Sequence, residues 1–227
     1  MRVKIYQINS DRDVDRTHFL GSDERNNLFG SLHVNPSEYD EVFNAVIDET
    51  DLEDMFSRFN TSGHPLYRGY SMSVSDVVVT EDGAFFCDSI GFKKIDFDES
   101  LTQKPDNLMK VVYKEPGKAA FEAEVCNDLK SLQHAVGGFI ECVYNDDETV
   151  IVCNEEAKLQ GMQGNIHLDN GTSIIAGQFF VCGDGGDDFC SLTDAQTEKY
   201  INKYSEPEEI SQEETDSDVG FSIIGFN

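Results

Sequence analysis

The alternation of apolar and polar residues predicts that the chain begins with a β-strand. Residues 2–8, RVKIYQI, alternate in this way and are rich in β-forming residues, which is typical of a half-buried strand. Residues 35–47, NPSEYDEVFNAVI, predict a helix instead, because Asn35 is placed to cap it and Pro36 fits its first turn. The apolar stripe of this predicted helix consists of Val42, Phe43, Val46 and Ile47.

A second helix and a β-hairpin follow in the same half of the chain. Residues 52–59, LEDMFSRF, place their large apolar side chains on one helical face. Asp82 and Gly83 lie between two β-rich runs, and such a pair supplies the positive φ values of a tight hairpin turn. A third strand is expected near residues 92–97. These elements predict a first α+β domain over residues 1–105.

The second half of the chain repeats the mixture of strands and helices. Residues 109–115, MKVVYKE, predict a strand. Residues 119–138 then shift to a helical period, which the Gly-Gly pair at 137–138 ends. Either Asn127 or Asp128 is placed to cap this helix.

A hairpin, a central strand and a final helix complete a second domain over residues 109–204. Residues 139–156 contain two apolar strands around an Asn-Asp-Asp-Glu turn. Residues 173–183 are apolar over part of their length, which favours a central strand. The final helix, residues 193–204, begins with a Thr-x-x-Gln capping box. The predicted fold class is therefore α+β, with two small tandem domains that have antiparallel sheets.

The chain changes character at Ser205, where an acidic C-terminal tail begins that runs over residues 205–227. Its first part, SEPEEISQEETDSD, is acidic, rich in serine and nearly free of large apolar side chains, which predicts disorder. Its tip, VGFSIIGFN, is apolar. Two interpretations of the tip stay open: it folds back on the body, or it is a tethered anchor for a partner's sheet edge or groove. The apolar candidates for partner binding are Phe221, Ile223, Ile224 and Phe226.

The formal net charge of −27 is spread over both predicted domains and the tail. Such a charge repels nucleic acid and anionic membranes, and it attracts basic surfaces. Two interpretations stay open: the charge keeps the protein soluble, or it imitates the phosphates of DNA in a basic cleft. The candidate acids for partner binding are Asp48, Glu49, Asp51, Glu53, Asp54, Asp146, Asp147, Glu148, Glu206, Glu208, Glu209, Glu213 and Glu214.

The sequence favours a cytoplasmic protein without a metal or cofactor. No apolar run is long enough to span a membrane, and the first residues have no secretory apolar region. The six cysteines contain no Cys-x-x-Cys pair, so we expect reduced, mostly buried thiols and no zinc site. GDGGDD, residues 183–188, is predicted to be a hairpin turn rather than a calcium or phosphate loop.

The most distinctive stretch, RGYSMSVSD at residues 68–76, does not predict an active site. Its serines alternate with apolar residues, so we expect a strand whose serine face is exposed to solvent. These serines, His64 and Asp76 provide the residue types of a Ser-His-Asp catalytic triad, but the sequence contains no nucleophile elbow or oxyanion loop. We therefore expect a protein that is not an enzyme.

Two parts of the chain resemble known families. RVKIYQINSDRDVDR, with Tyr67 to Asp76 and Phe86 to Phe92, resembles the YodL-like domain over roughly residues 1–100. LKSLQHAVGGFIECV and IIAGQFFVCG resemble a second small domain of unknown function over residues 109–204. The resemblance implies an accessory protein of a phage or mobile element. Such proteins often protect incoming DNA from restriction or CRISPR systems, whereas some YodL-like homologues are thought to affect host cell shape.

The sequence and the resemblance together predict a non-catalytic inhibitor of a host DNA-acting defence system. Its partner would be a host protein with a basic DNA- or RNA-binding surface, and it would bind neither nucleic acid nor membrane directly. The alternative is an adaptor that binds a cytoskeletal or other host protein through the apolar tip or an exposed sheet edge.

Overall fold

A computed structural model describes residues 1–168 and 173–218 of the chain. Contacts within the chain divide it into two compact units, Met1–Asp106 and the residues from Asn107 onward. Each unit combines helices with an antiparallel sheet, which confirms the predicted α+β class. None of the helices in the described ranges is long and apolar enough to cross a membrane.

The first unit is built on a five-stranded antiparallel sheet with the strand order β2-β1-β3-β4-β5. Its core lies where the central strands meet, and Tyr6, Tyr39, Val77 and Phe86 are buried there. The elements are β1 (Arg2–Ile8), α1 (Ser22–Phe29), β2 (Tyr39–Val46), α2 (Leu52–Thr61), β3 (Val77–Thr80), β4 (Gly83–Cys87) and β5 (Phe92–Ile95).

Strand β2 replaces most of the helix that the sequence predicts for residues 35–47. Asn35 does cap a helical turn, but this 3₁₀ turn ends at Glu38. Strand β2 then pairs along β1, from Ile8 opposite Tyr39 to Arg2 opposite Val46. The helix prediction was wrong because the pattern of this segment is ambiguous, and pairing with β1 decides between the two structures.

The strand expected at residues 68–76 is wrong, because this stretch is a loop and β3 begins only at Val77. The remaining predicted elements of the first unit are confirmed. Helix α2 buries Met55 and Phe59, and the ring of Phe59 packs edge-on against Phe43 at 4.9 Å between centroids. Strands β3 and β4 form the predicted hairpin, with Thr80 opposite Gly83. The φ angle of Gly83 is 122°, a value that suits a residue without a Cβ atom.

The second unit contains a six-stranded antiparallel sheet with the main order β7-β6-β12-β9-β8, and β13 pairs with β12. A separate pair, β10 and β11, forms a two-stranded sheet. The elements are β6 (Leu108–Lys114), β7 (Phe121–Cys126), α3 (Leu129–Val136), β8 (Ile140–Tyr144), β9 (Thr149–Asn154), β10 (Gly164–His167), β11 (Ile174–Ala176), β12 (Phe179–Asp184), β13 (Phe189–Cys190), α4 (Asp194–Lys203) and α5 (Gln212–Ser217).

Two predictions for the second unit need correction. The helical segment at residues 119–138 begins as strand β7, and helix α3 starts only after its N-cap, Asp128. The predicted strand at 173–183 is divided at Gly177, which has a φ of 70°, into β11 and the central strand β12. The helix end at Gly137, the β8–β9 and β12–β13 hairpins and the capping box of α4 are confirmed.

The tail is ordered as far as residue 218, which contradicts the predicted disorder of its acidic part. Ile210 and Thr215 are buried. Both lie so close to Gly164 that a Cβ atom there would be 2.5 Å from Ile210 Cγ2. Burial of one such aliphatic side chain contributes roughly 1.5–3 kcal/mol, so a single apolar residue helps to hold an otherwise polar segment.

Candidate functional site

Two acidic turns lie side by side at one end of the six-stranded sheet. One turn joins β8 to β9 and the other joins β12 to β13. Their closeness follows from the pairing of β9 with β12, and the backbone N–H of Asp184 donates to the carbonyl oxygen of Glu148 at 2.9 Å. We call this surface the acidic end, and define it by Asp146, Glu148, Asp184, Asp187 and Asp188.

The acidic end carries uncompensated negative charge. Four of its five carboxylates are exposed, and within residues 1–168 and 173–218 none of the five forms an ion pair. The bonds that Asp184 and Asp188 accept come from nearby backbone N–H groups, those of Gly186 and Phe189. Neighbouring carboxylates without counter-charges repel one another and concentrate negative potential at one place on the surface.

Asp147 lies in the same turn but points inward and is part of the structure. Its carboxylate accepts bonds from Thr149 Oγ1 at 2.6 Å, Lys199 Nζ at 2.7 Å and Tyr200 Oη at 2.9 Å. Partial burial acts to raise its pKa, but the bonds from Lys199, Thr149 and Tyr200 hold this pKa at about 2. The turn is thereby fastened to helix α4, and its other two acids face solvent.

The predicted acids at residues 48–54 lie in the first unit, at the start of helix α2. Asp51 is the N-cap and accepts the backbone N–H of Glu53 at 2.7 Å. Glu49 accepts two bonds from Arg58 Nη1, at 2.8 and 2.9 Å. Asp48, Glu53 and Asp54 are exposed. Glu49 and Asp51 therefore support local structure, although Asp51 is itself exposed.

The predicted acids of the tail divide in the same way. His167 lies between two of them: its Nδ1 is 2.7 Å from Glu208 Oε2, and its Nε2 is 3.0 Å from Glu214 Oε1. These two interactions raise the pKa of His167. Glu206, Glu209 and Glu213 remain exposed.

The apolar residues that the sequence predicts for partner binding lie outside the described residues. They are Phe221, Ile223, Ile224 and Phe226.

The serine-rich stretch of the first unit surrounds a buried carboxylate. Asp76 is fully buried; its Oδ2 accepts bonds from Gln7 Nε2 at 2.8 Å and from the backbone N–H of Ser73 at 2.9 Å. Its Oδ1 is buried without a donor within reach among the described residues. Burial raises the pKa of Asp76 to about 7, so this group titrates near neutrality.

The expected exposed serine face is wrong at Ser75, which is fully buried and has a φ of 84°. Its Oγ accepts the backbone N–H of Phe19 at 3.1 Å. His64 packs edge-on against Phe43, and its Nδ1 accepts the backbone N–H of Leu66 at 3.1 Å. Ser75, His64 and Asp76 thus each hold a different part of the loop structure.

An aromatic group at the surface of the first unit was not predicted from the sequence. The ring of His18 stacks on Phe19 with 3.7 Å between centroids, and Tyr70 Oη lies 2.7 Å from His18 Nε2. Tyr70 also borders a groove of about 280 Å³. The sequence contains no local pattern that predicts this group, because its members belong to two loops that are far apart in the sequence and meet only in the folded unit.

The described residues offer no assembled metal centre. Over residues 1–168 and 173–218, no three or more His, Cys, Asp or Glu side chains are grouped as metal ligands. The free cysteines Cys87, Cys126, Cys153 and Cys182 are buried, and burial raises the pKa of Cys87, Cys153 and Cys182 to about 12.

The fold and its surface define a tandem α+β protein with a strongly acidic surface. Comparison with known families places a YodL-like domain at residues 2–97 and a domain of unknown function, DUF3846, at residues 109–205. The chain therefore combines a YodL-like domain with a DUF3846 domain, which confirms the resemblance seen in its sequence. No curated protein and no solved structure was found to match it.

Proposed function

We propose that this protein is a non-catalytic inhibitor, encoded by a phage or mobile element, that occupies the basic DNA-binding surface of a host defence nuclease. It would act in the cytoplasm of the host cell. The observation that carries the proposal is the acidic end, where two turns from different hairpins combine exposed carboxylates that have no basic partners among the described residues.

Charge complementarity supplies the physical mechanism of the proposed inhibition. A cleft that binds DNA is lined by Lys and Arg side chains, and duplex DNA offers it about one negative charge per 1.7 Å of helix axis. Carboxylates at the acidic end would take the places of phosphates in such a cleft. Opposite charges also steer the two proteins together, and screening by salt weakens this attraction.

The structural acids must be kept in any test of this proposal. Asp147, Glu49 and Asp51 accept bonds that hold their own elements, so their removal would perturb the fold as well as the charge. Among the exposed members of the acidic end, Asp188 accepts the backbone N–H of the next residue, Phe189, and an asparagine keeps that acceptor oxygen. We therefore place the test on Asp146, Glu148, Asp187 and Asp188.

We predict that the variant D146N/E148Q/D187N/D188N loses most of its affinity for a partner that the wild-type protein captures from host lysate. The partner would be eluted with short duplex DNA, and its affinity for purified wild-type and variant chains would be measured over a series of salt concentrations. The loss should be at least tenfold at low salt, about 1.4 kcal/mol, and it should shrink as salt rises.

The matched control removes the same amount of charge elsewhere. Asp23, Glu81, Asp82 and Asp96 are exposed acids of the first unit, and the variant D23N/E81Q/D82N/D96N should keep nearly all of the affinity. Equal losses in both variants would show that only the net charge matters. Full binding by the acidic-end variant would reject the proposed site.

An adaptor is the second candidate, and the exposed edge of β8 favours it. Strand β8 is an outer strand of its sheet; Phe139, which precedes it, and Tyr144, its last residue, are 61% and 65% exposed. An unpaired strand edge with apolar neighbours is suited to β-strand addition by a partner.

We predict for the adaptor that F139S/Y144S abolishes capture of a partner whose binding ignores salt and duplex DNA. The inhibitor described above would retain its partner in the same variant, since the change leaves every carboxylate in place. Removal of residues 219–227 gives a second comparison: it should destroy binding by an adaptor and only weaken binding by an acidic inhibitor. If the protein keeps its partner after each of the two changes, F139S/Y144S and removal of residues 219–227, the adaptor is ruled out.

A further inference from the structure

A small cavity lies beside β8 in the second unit. Its volume is about 160 Å³, and its lining includes the apolar residues Val143, Cys153, Ala157, Leu168 and Ile174. Polar residues line it as well: Glu141, Asn154, Glu155, Lys158 and Ser173. A lining that combines apolar side chains with a few polar groups is the usual composition of a pocket that binds an apolar group.

The tail is fastened beside this cavity. Asp218 Oδ2 accepts bonds from Lys158 Nζ at 2.6 Å, from Ser173 Oγ at 3.2 Å and from the backbone N–H of Ile174 at 2.6 Å. Burial acts to raise the pKa of Asp218, but the bonds from Lys158 and Ile174 lower it. All three donors belong to residues that line the cavity, so the chain leaves α5 at the cavity mouth.

The residues that follow Asp218 are suited to fill the cavity. They read VGFSIIGFN, and the first aromatic side chain is that of Phe221. Three residues of extended chain span at most about 10 Å, which is sufficient to reach the cavity from Asp218. An apolar cavity of about 150 Å³ accepts a benzene molecule, so the cavity beside β8 has the size for one phenyl ring.

We propose that residues 219–227 dock on their own chain and that the ring of Phe221 occupies the cavity beside β8. The tether favours this occupant over a separate partner, because a segment held at the cavity mouth has a high effective concentration there. The contacts of Ile210, Thr215 and Asp218 already hold the start of this segment beside the cavity. Docking would also cover the side of β8 that carries Val143.

Methyl NMR of the full chain tests this proposal. An aromatic ring in the cavity shifts the methyl resonances of Val143, Leu168 and Ile174, which line it. F221L removes the ring and keeps an apolar side chain, so it should move these resonances. F226L, a matched change in the same segment, should leave them in place. Unchanged resonances in both variants would overturn the proposal.

A truncated chain separates docking within one molecule from docking between molecules. A chain that ends at Asp218 should lose the same ring-induced shifts, and a synthetic peptide of residues 219–227 should restore them at high concentration. In the full chain the shifts should be independent of dilution. Shifts that vanish on dilution would show that a second copy supplies the peptide, and a peptide without effect would show that the cavity does not bind it; either result overturns the proposal.

Discussion

Asp76 shows how one side chain is controlled by its surroundings. The carboxyl group is fully buried, and it has two donors at one oxygen and none at the other among the described residues. Burial disfavours the charged form, which raises the pKa from 3.8 to about 7. The folded protein therefore holds a proton on Asp76 at pH values where the unfolded chain has released it.

We predict that the free energy of unfolding falls, relative to D76N, as the pH rises from about 4 to about 7. The sign follows from linkage: the raised pKa stabilises the fold below the unfolded pKa, and this contribution is lost as the pH passes through the folded pKa. Urea unfolding of the wild type and D76N at several pH values measures the difference. D82N, at an exposed turn, should follow the wild type, and a constant difference between D76N and the wild type would contradict the prediction.

At the scale of elements, Glu208 and Glu214 of the tail contact His167 at the end of β10. We call these three residues the His167 clamp. The imidazole contacts Glu208 on one side and Glu214 on the other, and both glutamates favour its protonated form, which raises its pKa. Two lysines also lie near: Lys114 interacts electrostatically with Glu208, and Lys203 lines the same cavity as His167. The two carboxylates in direct contact set the direction of the shift.

We predict that the tail is released as the pH rises through the raised pKa of His167. A pKa raised in the folded state gives a contribution that is complete below the ordinary value of 6.5 and is lost above the folded one. Amide hydrogen exchange in α5, corrected for its intrinsic pH dependence, should therefore accelerate with pH in the wild type but not in H167Q. K158M, which removes a donor to Asp218, should accelerate exchange at every pH. A wild-type response identical to that of H167Q would contradict the clamp.

Sequence patterns that depend on a few neighbouring residues predicted the elements more reliably than apolar periodicity did. The hairpins at Asp82-Gly83 and at the acidic turns were predicted correctly, because turn chemistry acts over a few neighbouring residues. The cap Thr193 was predicted correctly for the same reason, and of the two cap candidates for α3, Asn127 and Asp128, the structure uses Asp128. Strand β2 was not, because its sequence also suits an amphipathic helix and its true partner, β1, lies far away along the chain.

At the scale of the whole molecule, the charge of −27 becomes informative only when the acids are divided by what they contact. Asp147, Glu208 and Glu214 hold structure, whereas Asp146, Glu148, Asp187 and Asp188 face solvent together. A uniform negative charge gives solubility and general repulsion, while a local group gives direction to an encounter. The salt series with the acidic-end variant tests this difference.

The amino-acid sequence alone was sufficient to predict the α+β class, the hairpin turns and the capping box of α4. These features depend on side-chain period and on contacts between close neighbours in the chain. The tertiary structure decided which acids are free, that Asp76 is buried and that the acidic tail is ordered to residue 218. The role of a charged side chain depends on the groups that distant strands bring to it, and strand register rather than local sequence sets those neighbours.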